Sequence, residues 1–411
     1  NYQTEKLSKG NYYDDFSMWD IYRAQLPLME ILQPKLVNDW VSSMILKGSQ
    51  GRWLPIFPCW NSYTSAMVGD HVTAFISSAY NKGIKDYDIN EAYRLMRQNA
   101  FEMANETDYK NGVGRRALDS YLQYGYIPMQ DSVSEAFHKK EQVSRTLEYA
   151  YDDYALAKIA KALGKTSDYN TLLTRSKNYI NVFDPSVNMV RGKNTDGTWY
   201  QPFNANTREP YITEGTPRQY TFYVPHDVPG LAKLMGGQSG LEKALDSLFE
   251  KNEYWHGNEP GHQIPFLYNY TSSPWKATKE VHKILDEEYN DGPGGLSGND
   301  DAGQMSAWYV FASIGFYPVD PVSGEYLIVA PKFTQASIKL SNNRIFEIVK
   351  HQKTAKSTYI QSVKLNGKPY PKTFIRHSDL MSGGKLEFFL TEKPSTWGKA
   401  SKNQPAGLNG L

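Results

Sequence analysis

In the stretch GGLSGNDDAGQMSAW, residues 294–308, Asp300 and Asp301 stand side by side in a glycine-rich loop just before an apolar helical run. An aspartate at a helix N-terminus meets unpaired N–H groups and the positive end of the helix dipole, worth roughly 0.3 to 1 kcal/mol. One carboxylate suffices for that. Two adjacent ones repel, so the second points to a metal, a polar substrate or proton transfer. Four further polar clusters offer related chemistry. In DDFSMWDIYRAQLP, Trp19, Asp20 and Arg23 share a helical neighbourhood, where Trp19 can stack on a sugar ring while Asp20 and Arg23 hold hydroxyls. The bland alternative is an apolar face with one salt bridge. In FPCWNSYTSAMVGDH, Trp60, Asn61, Asp70 and His71 gather among Gly, Ser and Thr, as a polyol-binding loop would, although Asp70 also suits an N-cap.

The third cluster, TEGTPRQYTFYVPHD, sets Glu214 in a turn-forming, aromatic-rich segment. A loop glutamate is ordinarily solvated. Among aromatic residues it is desolvated, its pKa rises, and it becomes a candidate proton donor at neutral pH. The fourth, YWHGNEPGHQIPFLYN, places Asn258, Glu259 and His262 around Pro260 and Gly261, which prevent a continuous helix and free backbone carbonyls to converge. An amide oxygen, a carboxylate and spare carbonyls make a hard, oxygen-rich set suited to Ca²⁺. Zinc is disfavoured, because His256 and His262 lack the usual ligand spacing and no cysteine is near. No glycine-rich phosphate loop opens a helix after a strand, so nucleotide cofactors are disfavoured too.

These clusters need a scaffold. A chain of 411 residues suits a large helical toroid plus an appendage. Lys+Arg 45 against Asp+Glu 44 leaves no global field to draw in nucleic acid or an anionic membrane surface. Cys59 is the single cysteine, so no intrachain disulfide can form. No apolar run is long enough to span a bilayer, and the first residues show no signal-peptide pattern. Up to about residue 320 the pattern is mainly helical. VSRTLEYAYDDYALAKIAKALGK is the clearest case, with Val143, Leu147, Ala150, Tyr154 and Ala157 on one stripe read as core rather than chemistry. Further helical stretches run from Ser17, Asp70, Asn90, Thr166, Asp227, Gly240, Pro274 and Gly303. Such alternation without a short repeat favours an (α/α) toroid over a solenoid. Short β-branched and aromatic runs then predict an antiparallel β module over 321–396, followed by a loose polar tail, 397–411.

Taken together, the motifs resemble the calcium-dependent exo-acting α-mannosidases of glycoside hydrolase family 92. The resemblance runs from DDFSMWDIYR through GRWLPIFPCW, MVGDH, SRTLEYAYDDYALAKIAKALGK, TEGTPRQYTFYVPHDVPGL, GNEPGHQIPFLYNY and GNDDAGQMSAWYVFASIGFYPV to APKFTQASI. It implies an (α/α)6 catalytic domain, inversion at the anomeric carbon, and a Ca²⁺ that touches the mannose O2 and O3 hydroxyls. By the same resemblance Glu214 is the general acid, Asp301 the general base with Asp300 beside it, and Asn258 and Glu259 are calcium ligands. Trp19, Asp20, Arg23, Trp60, Asp70, His71 and His262 are expected to contact the sugar. Inversion requires two carboxyls ~6.5 to 9.5 Å apart, one protonated and one ionised behind a water. Two departures stand out. Thr216, Pro217 and Arg218 replace the family's usual residues after Glu-Gly, and nothing here corresponds to the family's N-terminal β-sandwich domain, expected as a missing partner. An α-mannoside substrate on N-glycans or mannans and a periplasmic or extracellular address follow as expectations. A toroidal glycosidase of other specificity, such as an α-glucosidase, and a non-catalytic glycan-binding protein are the competing readings.

Overall fold

The computed structural model describes residues 6–7, 10–133 and 137–410. The chain opens with α1 (Met18–Ile21), α2 (Gln25–Leu32) and α3 (Pro34–Gly51), followed by a hairpin of β1 (Phe57–Cys59) and β2 (Ser62–Thr64). Pro34 begins α3 where its missing N–H is no loss. Next come α4 (His71–Asn81), α5 (Ile89–Phe101), α6 (Glu106–Lys110), α7 (Leu118–Tyr124), α8 (Gln142–Ala162) and α9 (Thr166–Arg175). Asp88 caps α5 by accepting from the N–H groups of Asn90 and Glu91. A two-stranded ribbon, β3 (Phe183–Asp184) with β4 (Met189–Val190), precedes α10 (Pro217–Tyr220), α11 (Val228–Leu234), α12 (Gln238–Glu250), α13 (Trp275–Glu287) and α14 (Gln304–Ile314). All eight expected helical stretches carry a helix, with starts shifted by no more than a residue or two.

α8 corrects the amphipathic reading. It is buried on nearly every face, and Glu148, Asp152 and Asp153 are buried along with its apolar stripe. A helix sequestered this way must pair every charge it carries. Its carboxylates are therefore structural anchors, and they matter below.

The C-terminal strands form two sheets. In one, β5 (Phe316–Asp320) pairs with β6 (Glu325–Ile328), which pairs with β11 (Phe374–Arg376). The other is built from β7 (Gln335–Lys339), β8 (Ile345–His351), β9 (Tyr359–Leu365), β10 (Lys368–Pro369) and β12 (Gly384–Thr391) in the order β10-β9-β12-β8-β7. α15 (His377–Met381) links β11 to β12. The sheet is antiparallel apart from β12, which runs parallel to β8. Period-two alternation identifies a strand but not its neighbour's direction, so the antiparallel module holds with one parallel pair that the sequence could not foresee. One hydrophobic core runs from Val143 and Tyr220 through Trp308 to Phe346 and Leu386, so the sheets share packing with the helices. The tail is not loose. Trp397 donates its indole N–H to the Tyr370 carbonyl, and Gln404 donates to the Thr271 carbonyl at 2.8 Å. Composition hid these anchors because each is a single polar side chain.

Candidate active site

Three carboxylates from distant parts of the chain meet beside the start of α14. One oxygen each of Asp20, Glu259 and Asp301 lies within 4.8 Å of the others. Asp20, on the one-turn helix α1, is buried and accepts from Ser17 Oγ at 2.5 Å. Glu259 opens a short turn, Glu259–Gly261, and is 2 % exposed. Pro260 and Gly261 stop that turn from becoming a regular helix, which leaves Glu259 aimed at its neighbours. Asp301 and Ala302 both take left-handed backbone conformations, φ 46° and 56°. Non-glycine residues adopt these only when the surroundings impose them, a pattern common at functional sites.

The crowding shows in the electrostatics. Burial, with Asp301's charge nearby, pushes the Asp20 carboxyl up to about 7 despite the Ser17 bond. Burial together with a hydrogen bond to Asp301 and the charges of Asp20 and Asp301 pushes Glu259 up to about 9. Glu259 Oε1 has no partner among the described residues. A buried, unpaired carboxylate oxygen among two further carboxylates is a hard donor set, without sulfur or imidazole, and fits a divalent cation such as Ca²⁺. Asp20, expected to hold a sugar hydroxyl, thus stands among the candidate ligands.

A stability prediction follows. Carboxyls raised in the folded state favour folding below their unfolded values, and that contribution is lost as pH rises through the folded ones. In chelator, the melting temperature should therefore fall as pH rises from the ordinary carboxylate range through about 7 and about 9. Added calcium should raise it, increasingly so over the same interval. A calcium effect independent of pH, measured by thermal melts, would remove the cluster as the binding site.

Glu214 faces the same space. Its carboxyl is raised by burial, lowered by His138 and raised by the charge of Asp301. The residue keeps a solvent-accessible side and a left-handed backbone, φ 52°. Its loop is fixed on two sides: Thr213 N–H donates to Ser144 Oγ on α8 at 2.8 Å, and Asn258 Nδ2 donates to the Glu214 carbonyl at 3.2 Å. Asn258 thereby ties the proton-donor loop to the Glu259 turn. A carboxyl raised by burial, near a second carboxyl beside a helix N-terminus, is the kind of pair that acid–base hydrolysis uses.

The two halves of the site share one buried anchor that sequence reasoning did not single out. Glu148 Oε1 accepts from Trp19 Nε1 at 3.2 Å and from the Tyr220 hydroxyl at 2.6 Å, and Arg23 Nη2 lies 4.0 Å away. Its other oxygen meets His71 Nε2, while His71 Nδ1 meets Asp152 at 2.9 Å. Burial disfavours the imidazolium, but Asp152 and Glu148 outweigh it and hold His71 protonated, up to about 9. Trp19 belongs to the Asp20 turn and Tyr220 to the segment after Glu214, so Glu148 fixes both. The available signal was three acids, in EYAYDD, crowded within two turns of a helix that is otherwise rich in apolar residues.

Several residues expected to contact the sugar also brace the interior. Trp19 is 2 % exposed, and Arg23, Asp70, His71 and His262 are likewise buried. Asp70 precedes α4 but makes no capping bond there; its carboxylate accepts from Arg115 Nε at 3.0 Å. His262 lies between Gln304 and the His256 carbonyl, and burial with Arg23 nearby holds it neutral, down to about 3. Trp60, at the tip of the β1–β2 hairpin, is 83 % exposed and keeps a free aromatic face. Asp300 is exposed and accepts from both the N–H and the hydroxyl of Ser306, 3.0 and 2.8 Å. It is the capping member of the Asp pair, and Asp301 is the one turned toward Glu259.

The chain matches the Glycosyl hydrolase family 92 catalytic domain over residues 1–392. It is similar to an uncharacterized secreted glycosidase of Arthroderma benhamiae, 32 % identical over 94 % of this chain and 53 % of the relative. Among solved structures it is similar to the family GH92 α-mannosidase BT3965 of Bacteroides thetaiotaomicron. The TM-score is 0.90 at 36 % identity, covering 98 % of this chain and 53 % of that one. It is likewise similar to the inverting mannosidase BT2199 of the same organism, TM-score 0.90 and 29 % identity over 97 % of this chain and 56 % of that one. The chain thus spans about half the length of these relatives. No helix among the described residues is long and apolar enough to cross a membrane.

Proposed function

Since the chain belongs to glycosyl hydrolase family 92, we propose that it is a calcium-dependent α-mannosidase that removes terminal mannose from glycans with inversion. The observation that carries this reading is the Asp20–Glu259–Asp301 cluster, which holds an orphan carboxylate oxygen and whose Asp301 charge is felt at the Glu214 carboxyl. Glu214, whose carboxyl is raised by burial, donates its proton to the oxygen of the departing group. Asp301 holds a water on the opposite face of the ring and takes its proton as the water attacks. Asp20, Glu259 and Asp301 would hold Ca²⁺, with Asn258 beside them. Calcium bound there supplies two vicinal sugar hydroxyls with a template and a Lewis acid. The helices are read as closing into an (α/α)6 ring, with α8 at its interior. A secreted relative supports an extracytoplasmic address and glycan substrates.

A panel of linkage-defined mannobioses, assayed with calcium and with chelator on the protein at its full natural length, tests class and cofactor together. Mannose release that stops in chelator and returns with calcium is the expected result. Release of glucose from α-glucosides instead would favour the other toroidal glycosidases. Binding without turnover under any condition would favour a glycan-binding role.

A further inference from the structure

Away from the carboxylate site, one small cavity is lined by two buried arginines, each with an N–H group that has no partner among the described residues. Its walls include Met67, Gly69, Gly112 and Tyr149, and two arginines, Arg116 and Arg145, line it together. Arg145, on the first turn of α8, is 1 % exposed. Its Nε donates to the Lys140 carbonyl and its Nη2 to the His138 carbonyl, while Nη1 has no partner among the described residues. Arg116, 6 % exposed, donates Nη1 to the Tyr109 carbonyl at 2.6 Å and lies over that ring, and its Nη2 likewise lacks a partner.

Neither guanidinium makes a hydrogen bond to a carboxylate among the described residues. The nearest approach, Glu141 to Arg145 at 3.9 Å, involves Nη2 rather than the orphan Nη1. The adjacent Arg115 shows the compensated alternative, with Asp70 at 3.0 Å and Asp153 at 2.7 Å. Arg145 has only the long Glu141 contact and Arg116 has no carboxylate among the described residues, so two buried guanidinium groups in mutual range repel. A neutral water can accept both N–H groups but cannot offset the charge. The cavity is small, about 10 Å³, which favours a monatomic ion over a polyatomic anion.

We infer that this cavity binds a single chloride ion between the unpartnered N–H groups of Arg116 and Arg145. The consequence reaches the active site through the charges around Glu214. Arg145 holds the carbonyls of His138 and Lys140, and His138 and Glu141 both act on the Glu214 carboxyl. An occupied cavity steadies the loop that sets the field around Glu214.

Crystals grown in bromide, with data collected at the bromine edge, test this directly. The expected result is an anomalous peak between the two guanidinium groups. In solution, replacing gluconate by chloride at constant ionic strength should raise the melting temperature by about 1 to 3 °C at saturation. Arg116→Met should abolish that dependence; should the variant not fold, the parent protein's bromide map and chloride titration decide. Absence of a bromide peak, or a melting temperature indifferent to chloride, would overturn the inference and assign the cavity to water.

Discussion

Replacing Glu214 by Gln is expected to lower kcat on a disaccharide by roughly 10²- to 10⁴-fold, the usual contribution of a general acid. The substitution keeps the side chain's size and leaves untouched the bonds that fix the loop, from Thr213 to Ser144 and from Asn258 to the Glu214 carbonyl. Stability and calcium affinity should stay near those of the parent. The loss should also depend on the leaving group. An aryl mannoside with a strongly acidic phenol departs without protonation, so the variant should retain most activity on it. A loss of equal size on good and poor leaving groups would show that Glu214 is not the proton donor.

The second large effect separates the two aspartates that adjoin in sequence. Asp301→Asn should lose a comparable factor on every substrate, since water attack is common to all of them, and should weaken calcium binding by replacing one of the three clustered carboxyl groups with a neutral amide. Asparagine tolerates the left-handed backbone at this position, φ 46°, so the turn itself survives. Asp300→Ala should behave differently. It removes the acceptor of the Ser306 N–H and hydroxyl bonds, a loss of about 1 kcal/mol of stability with kcat changed far less. Kinetics and thermal melts on both variants check the split. Equal kinetic losses would mean that the pair acts jointly.

These expectations differ in how far the sequence alone supports them. The helices were legible because their apolar spacing and stop signals are local, and so were Glu214, Glu259 and the Asp pair as carboxyls in unusual surroundings. Asp20 shows the limit. Its neighbours Trp19 and Arg23 suggested a sugar platform, yet the fold turns Trp19 inward to Glu148 and leaves Asp20 against Glu259 and Asp301. That juxtaposition joins segments separated by more than half the chain, and no periodicity encodes it. Glu148 was missed for a related reason: on a helix read as amphipathic, an acid off the apolar stripe is assigned to solvent, whereas α8 has almost no solvent face. The parallel pairing of β12 with β8 belongs to the same class, since strand patterns fix faces but not partners.

The central claim is that Glu214 and Asp301 act from opposite faces of a mannose ring in a single displacement. Proton NMR of an aryl α-mannoside hydrolysis in progress, with calcium present and the protein at its full natural length, tests that claim most directly. The account predicts that β-mannose accumulates first and α-mannose appears only afterwards, by mutarotation. α-Mannose as the first product would contradict it.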